Sequence, residues 1–168
     1  MRINSEHRGL PETLAPSAPR PAETEDVDAI SHLSAPFVHS GALRYRDEVS
    51  LRAQLSDFVV MVHDQTLIGC VGLRQLPATS PGLVIYNFCV HPRFHGHGVG
   101  TALLKEAVRL AEQRGVHEIF AASNQSGSWF TRHGFTAIDF EQSPQAWRGD
   151  LDPRRKSTLF MRAVSGTG

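Results

Sequence analysis

Glycine occupies alternate positions in His95-Gly96-His97-Gly98-Val99-Gly100-Thr101, between an apolar run, Leu83–Val90, and a stretch with helically spaced apolar residues. Without a Cβ, such residues let the backbone approach a ligand and take positive φ. The first N–H groups of a helix have no internal acceptor and lie at the positive end of its dipole. That combination suits a phosphate or diphosphate. A P-loop needs Lys then Ser or Thr after its last Gly, but Gly100 is followed by Thr101-Ala102. A dinucleotide fingerprint spaces its third Gly three residues beyond the second, and the pattern here is Gly-x-Gly-x-Gly. The plainer alternative is a turn that only permits tight packing.

Nine histidines raise the question of a metal. His91, His95 and His97 would bring only the first two together on a helix, Pro92 and the glycines argue for a loop, and no Cys or acidic residue lies beside them, so no metal site is expected. Cys70 and Cys89 are too few and too far apart for a disulfide framework, and both fall in apolar runs, where buried reduced thiols are expected. Arg148, Arg154, Arg155 and Lys156 form a basic patch that reads in part as a solvated face.

The elements that must position these residues can be read from spacing. Residues 1–22 carry Pro11, Pro16, Pro19 and Pro21 with few large apolar side chains, which predicts a flexible tail ahead of one domain, 23–168. Thr24 reads as an N-cap for a helix bearing Val27, Ile30 and Leu33 that Pro36 ends. A second helix spans about 46–55. Phe58–His63 and Leu67–Leu73 read as a hairpin joined by Asp64-Gln65-Thr66, and Leu83–Val90 as a central strand. Val99 to Arg114 is amphipathic, with Gly115 fitting the C′ position. A strand at 117–122, a short helix at 126–132 and strands at 135–140 and 158–164 follow. The order predicts a mixed α/β (α+β) fold, one layer of sheet with helices packed on it.

The 168 residues suffice for one packed core, and 40% hydrophobic with 20% charged residues is ordinary globular composition. The formal net charge of zero gives no electrostatic case for nucleic acid or an anionic membrane as partner. No run reaches the ~20 apolar residues of a membrane span, and the N-terminus lacks the apolar core of a signal peptide. A cytoplasmic protein is the expectation.

Val90-His91-Pro92, two variable residues, a polar residue and Gly-x-Gly-Val-Gly together resemble the coenzyme A motif of the GNAT (GCN5-related) N-acetyltransferases. About 30 residues on, Trp129-Phe130-Thr131-Arg132-His133-Gly134-Phe135 resembles that family's closing helix, Gly-Phe, strand signature. The resemblance covers about 24–164. It implies a single mixed sheet splayed open between its fourth and fifth strands, with helices on both faces and acetyl-CoA as cosubstrate in the gap. Backbone groups of Phe88, Cys89 and Val90 would pair with pantetheine like an added strand. The amides of His95, Gly96, His97, Gly98, Val99 and Gly100, with the Thr101 hydroxyl, would surround the diphosphate. Ser123 or Asn124 would reach the cofactor's edge. His95 stands where the family usually has Arg or Gln.

Within the family, the nearer likeness is to the acetyltransferase domain of the N-acetylglutamate synthases, on Leu43-Arg44-Tyr45-Arg46, Ile68-Gly69-Cys70-Val71-Gly72-Leu73, Ser128-Trp129-Phe130 and Arg155-Lys156-Ser157. It implies that Arg46, Arg155 and Ser157, with Asn87 beside them, hold an amino-acid carboxylate, for which a guanidinium fork is suited. Phe130 stands where many relatives place a Tyr acid, and Val84 where the synthases place a carboxylate. The candidates for proton transfer are therefore His133, Cys70, Tyr86 and Asn87, the last two through water, with the Phe88 N–H polarising the thioester carbonyl. The implied activity is acetyl transfer to the α-amine of a free amino acid, glutamate first, by direct attack on the thioester, with no metal. Another amino-acid-like metabolite or toxin is an alternative acceptor. A non-catalytic module that binds CoA or an amino acid is an alternative role. Dimers are common in the family, so a homodimer is a possible assembly.

Overall fold

The structure, a computed structural model, describes residues 16–165. Seven strands form one sheet: β1 (Arg20–Pro21), β2 (Phe58–His63), β3 (Thr66–Gln75), β4 (Leu83–Val90), β5 (Glu118–Ser123), β6 (Thr136–Ile138) and β7 (Thr158–Ala163). Their spatial order is β1-β2-β3-β4-β5-β7-β6. The helices are α1 (Val27–His39), α2 (Glu48–Ala53), α3 (Val99–Gln113), α4 (Gly127–Arg132) and α5 (Gln145–Arg148).

Alternation along each strand sends successive side chains to opposite faces. Val59 and Met61 of β2 join Leu103, Leu104, Ala107 and Ala111 of α3 in one core. Phe58 and Val60 point the other way, to Val27, Ile30 and Leu33 of α1 and Leu51 of α2. The expected hairpin turns at Asp64 and Gln65, both at positive φ (48° and 60°), the two-residue geometry whose twist matches paired strands. Gly115, at φ 68°, follows α3 as predicted.

The gap in the sheet has a definite register. β4 and β5 are parallel and pair only through Leu83 with Ile119, Val84 with Phe120, and Ile85 with Ala121. From Tyr86 onward β4 leaves its neighbour. Asn87, at φ 46°, lies at an irregularity in the β3–β4 register.

Three expectations need correction. The tail predicted through residue 22 is ordered at its end: the Ser17 N–H donates to the Val62 carbonyl (2.8 Å), Arg20 pairs with Val60, and the Ala22 N–H donates to Phe58 (2.9 Å). Prolines are tolerated on an edge strand, where half the N–H groups need no partner. Residues 1–15 of that tail lie outside the described residues. Pro36 does not end α1; it sits on the exposed side of the last turn, where only the bond to the carbonyl four residues back is forfeited, and its own carbonyl accepts from the Ser40 N–H (3.0 Å). Thr24 is not the N-cap. Glu23 and Asp26 cap that turn reciprocally, with the Glu23 N–H donating to Asp26 Oδ2 (2.7 Å). The Arg20 guanidinium holds the Asp26 carboxyl below its ordinary range.

One glycine of β3 is fixed by its neighbour. A Cβ on Gly72 would lie 2.6–2.8 Å from ring atoms of Tyr86, its cross-strand partner. Gly72→Ala is expected to cost about 2 kcal/mol by overpacking, a fall of roughly 4–8 °C in Tm in thermal unfolding followed by circular dichroism. An unchanged Tm would mean the Tyr86 ring is free to move aside.

Candidate functional site

Two clefts open where β4 and β5 part. The first, of about 770 Å³, runs from Phe88 and Val90 to the mouth of α3. Gly96 and Gly98 both have positive φ (78° and 79°), with open space where a Cβ would stand. The first bond of α3 joins the Ala102 N–H to the Gly98 carbonyl (2.9 Å). Among the described residues, the N–H groups of Gly96, Gly98, Val99, Gly100 and Thr101 have no protein acceptor, so five amides remain for a ligand.

That set differs from the one expected. The His95 and His97 amides already donate to the carbonyls of Pro92 (3.3 Å) and Phe94 (3.2 Å), closing the turn before the helix. His97 packs its ring on Phe94 and does not line the cleft. The His95 ring does line it, but Nε2 donates to the Val90 carbonyl (2.7 Å), a backbone group expected to pair with pantetheine. A ligand strand using that carbonyl must take its second lone pair beside the imidazole or displace the ring. Ser123 lines the cleft, whereas Asn124 turns away to donate to the Gly41 carbonyl (3.1 Å). Ser126, Ser128 and Arg132 line it without having been foreseen.

The second cleft, of about 840 Å³, lies on the other side of Tyr86 and Asn87, which border both. Arg46, Asn87, Arg155 and Ser157, far apart in sequence, all line it. So do Arg44, Arg148 and Lys156. Among the described residues none of these five cations forms an ion pair, whereas Arg74 on the same wall is bound to Asp150. Arg46 is the most confined: its guanidinium lies 4.8 Å over the Tyr86 ring, donates to Asn87 Oδ1 (3.3 Å), and burial lowers its pKa. A half-buried cation without a counter-charge is partly desolvated at a cost, and an incoming carboxylate relieves that cost. Arg155 has a structural share too, donating to the carbonyls of Gly41 (3.1 Å) and Ala42 (3.2 Å).

Asn87 is 5% exposed and held on both ends, its Nδ2 donating to Ser34 Oγ (2.8 Å) while Oδ1 accepts from Arg46. It is thus fixed in orientation at the junction of the two clefts. The Tyr86 hydroxyl donates to Asp57 Oδ2 (2.7 Å), and burial followed by that bond raises the phenol's pKa far above its ordinary range, so phenolate is not a base here. The Cys70 thiol is buried against the Asn87 carbonyl (3.4 Å) and Cys89 Sγ (3.7 Å); the bond to Cys70 and burial raise the Cys89 thiol. Phe130 is packed in the core.

His133, a candidate base from sequence, forms no hydrogen bond to Asn87 among the described residues. It lines only the α3 cleft, where Nε2 meets Thr101 Oγ1 (3.2 Å) and Nδ1 meets the Trp129 carbonyl (2.7 Å). The reason is local: α4 ends at Arg132, and the next residue folds its ring back on the Trp129 indole, 3.9 Å between centroids.

Residues 23–135 match the Acetyltransferase (GNAT) family, and the chain belongs to it. The amino-acid acetyltransferases of Neisseria meningitidis (serogroup B) and Shewanella oneidensis are each 29% identical to it, over 86% and 84% of this chain and 33% and 32% of theirs. The chain thus spans about a third of the length of these relatives. N-acetylglutamate synthase from Neisseria gonorrhoeae, solved with coenzyme A and N-acetyl-glutamate, superposes with a TM-score of 0.84 at 28% identity, over 90% of this chain and 35% of that one. Rv2747 from Mycobacterium tuberculosis shares the fold over its full length, with a TM-score of 0.74 at 23% identity and 89% of this chain covered.

Proposed function

We propose that the chain transfers the acetyl group of acetyl-CoA to the α-amine of a free amino acid, with glutamate the leading acceptor. The observation that carries this reading is the meeting at Asn87 of two clefts of opposite character, one offering free amides to an anion, the other unpaired guanidinium groups. The Neisseria synthase, complexed with coenzyme A and N-acetyl-glutamate, supports both halves of the assignment.

In this reading the five free amides from Gly96 to Thr101 hold the diphosphate, and pantetheine lies along Phe88–Val90 in the gap left by β5. The Phe88 N–H polarises the thioester carbonyl. Arg46, Arg155 and Ser157 hold the acceptor's carboxylates and bring its amine to that carbon. The C–N bond forms, the C–S bond breaks, and CoA leaves as a thiolate that needs no acid, consistent with Phe130 at the usual Tyr position. The proton lost by the amine leaves through water at Tyr86 and Asn87. Most of the rate then comes from positioning.

The test is CoA thiol release across the free amino acids. Glutamate is expected to give the highest kcat/KM. Release with another amino acid instead would replace glutamate and keep the chemistry. CoA binding without turnover of any amine would overturn the enzyme reading in favour of a regulatory module.

A further inference from the structure

We infer that His133 is a positioning residue whose protonation turns the Thr101 hydroxyl toward the cofactor's diphosphate; this rests on the assignment of CoA to the α3 cleft. A carbonyl can only accept, so Nδ1, 2.7 Å from the Trp129 oxygen, carries a hydrogen whatever the charge of the ring. The other nitrogen is the variable one. In the neutral ring Nε2 is an acceptor, and Thr101 Oγ1, 3.2 Å away, must donate to it. The hydroxyl then presents only lone pairs to the cleft, the wrong polarity for a phosphate oxygen. A solvent proton added at Nε2 reverses the bond: Nε2–H donates to Oγ1, and the hydroxyl hydrogen is released to a phosphate oxygen. One proton is taken up, and no covalent bond other than N–H changes.

The surroundings make this switch respond to the ligand. Thr101 stands in the first turn of α3, and its own N–H belongs to the free set at the helix mouth. Cations lie on the elements around this residue: Arg132, the preceding residue, lines the same cleft; Arg162 of β7 donates to the His133 carbonyl (3.1 Å); Lys105 follows one turn beyond Thr101 on α3. No carboxylate among the described residues hydrogen-bonds to the imidazole. The bound diphosphate therefore supplies the counter-charge that draws the proton onto Nε2. Stacking against Trp129, at 17° between planes, fixes the ring so that the exchange needs no rotation.

Calorimetric titration of CoA between pH 8 and pH 6 tests this on the wild type, Thr101→Val, which deletes the hydroxyl at nearly constant shape, and His133→Phe, which keeps the stack. Ionisation of CoA's own phosphate is common to all three. Wild-type affinity is expected to rise about tenfold more over that range than that of either variant, the value of one charge-assisted hydrogen bond. It should also take up protons, in buffers of different ionisation enthalpy, that Thr101→Val does not. Identical pH dependence in wild type and Thr101→Val would overturn the inference while leaving CoA in the cleft. Absence of wild-type binding at every pH would overturn the cofactor assignment instead. Should His133→Phe fail to fold, Thr101→Val decides alone.

Discussion

Gly98→Val is expected to weaken CoA binding by at least about 100-fold, close to 2.7 kcal/mol, in calorimetry on folded protein. Gly98 is the N-cap of α3 at φ 79°, a conformation that a β-branched residue resists. Among the described residues nothing outside its chain neighbours lies within 4 Å of the Cβ it lacks, so internal crowding is not what excludes a side chain there. What the substitution takes away is the backbone geometry that aims the amides from Gly98 to Thr101, together with the space for the ligand. Gly115 provides the control. It too has positive φ (68°) and open space around its absent Cβ, but at the far end of the same helix. Gly115→Val should bring a comparable loss of stability with CoA affinity unchanged. Equal loss of binding in both variants would mean that Gly98 acts only through folding.

Arg46→Gln is expected to raise the acceptor KM about 100-fold while the CoA dissociation constant stays within a factor of two. A charge-assisted, forked contact to a carboxylate carries about 2–3 kcal/mol, and Arg46 is half-buried with no ion-pair partner among the described residues. Gln keeps a donor toward Asn87 but gives up the charge. Arg46→Lys should recover only part of the affinity, because an ammonium cannot span both carboxylate oxygens. An unchanged acceptor KM in Arg46→Gln would remove this residue from the site. Arg155 is a less clean probe. It also braces Gly41 and Ala42, so Arg155→Ala should disturb the loop leading to Arg44 along with the acceptor.

Features set by local chemistry were legible in the sequence. The α3 period, the left-handed Gly115, the hairpin read at Asp64-Gln65-Thr66 (whose turn proper is Asp64 and Gln65) and the Gly-x-Gly-x-Gly mouth each follow from a few adjacent residues. Arg46 and Arg155 of the second cleft came from family resemblance, since nothing local marks Arg46 as half-buried and unpaired. Features that depend on distant neighbours were misread or missed. Pro36 is tolerated because it falls on the exposed side of a last turn, and Pro21 because β2 offers it an edge. Trp147, 4% exposed on the short α5, packs with Phe120, Leu76 and Val84, a cluster no periodicity announced. His133 reads from sequence as a candidate base, but its partners, Thr101 and Trp129, emerge only when α4 lies against α3.

The brief pairing of β4 with β5 bears on where the domain is weakest. Two leaves of sheet share a seam of three register pairs, and beyond Ile85 the amides on the open side have no strand beside them. A pantetheine arm in that slot would act as a missing strand, joining the leaves as well as delivering the thioester. Deuterium uptake along Tyr86–Val90 would then slow once CoA is added, and the melting temperature would climb with ligand concentration.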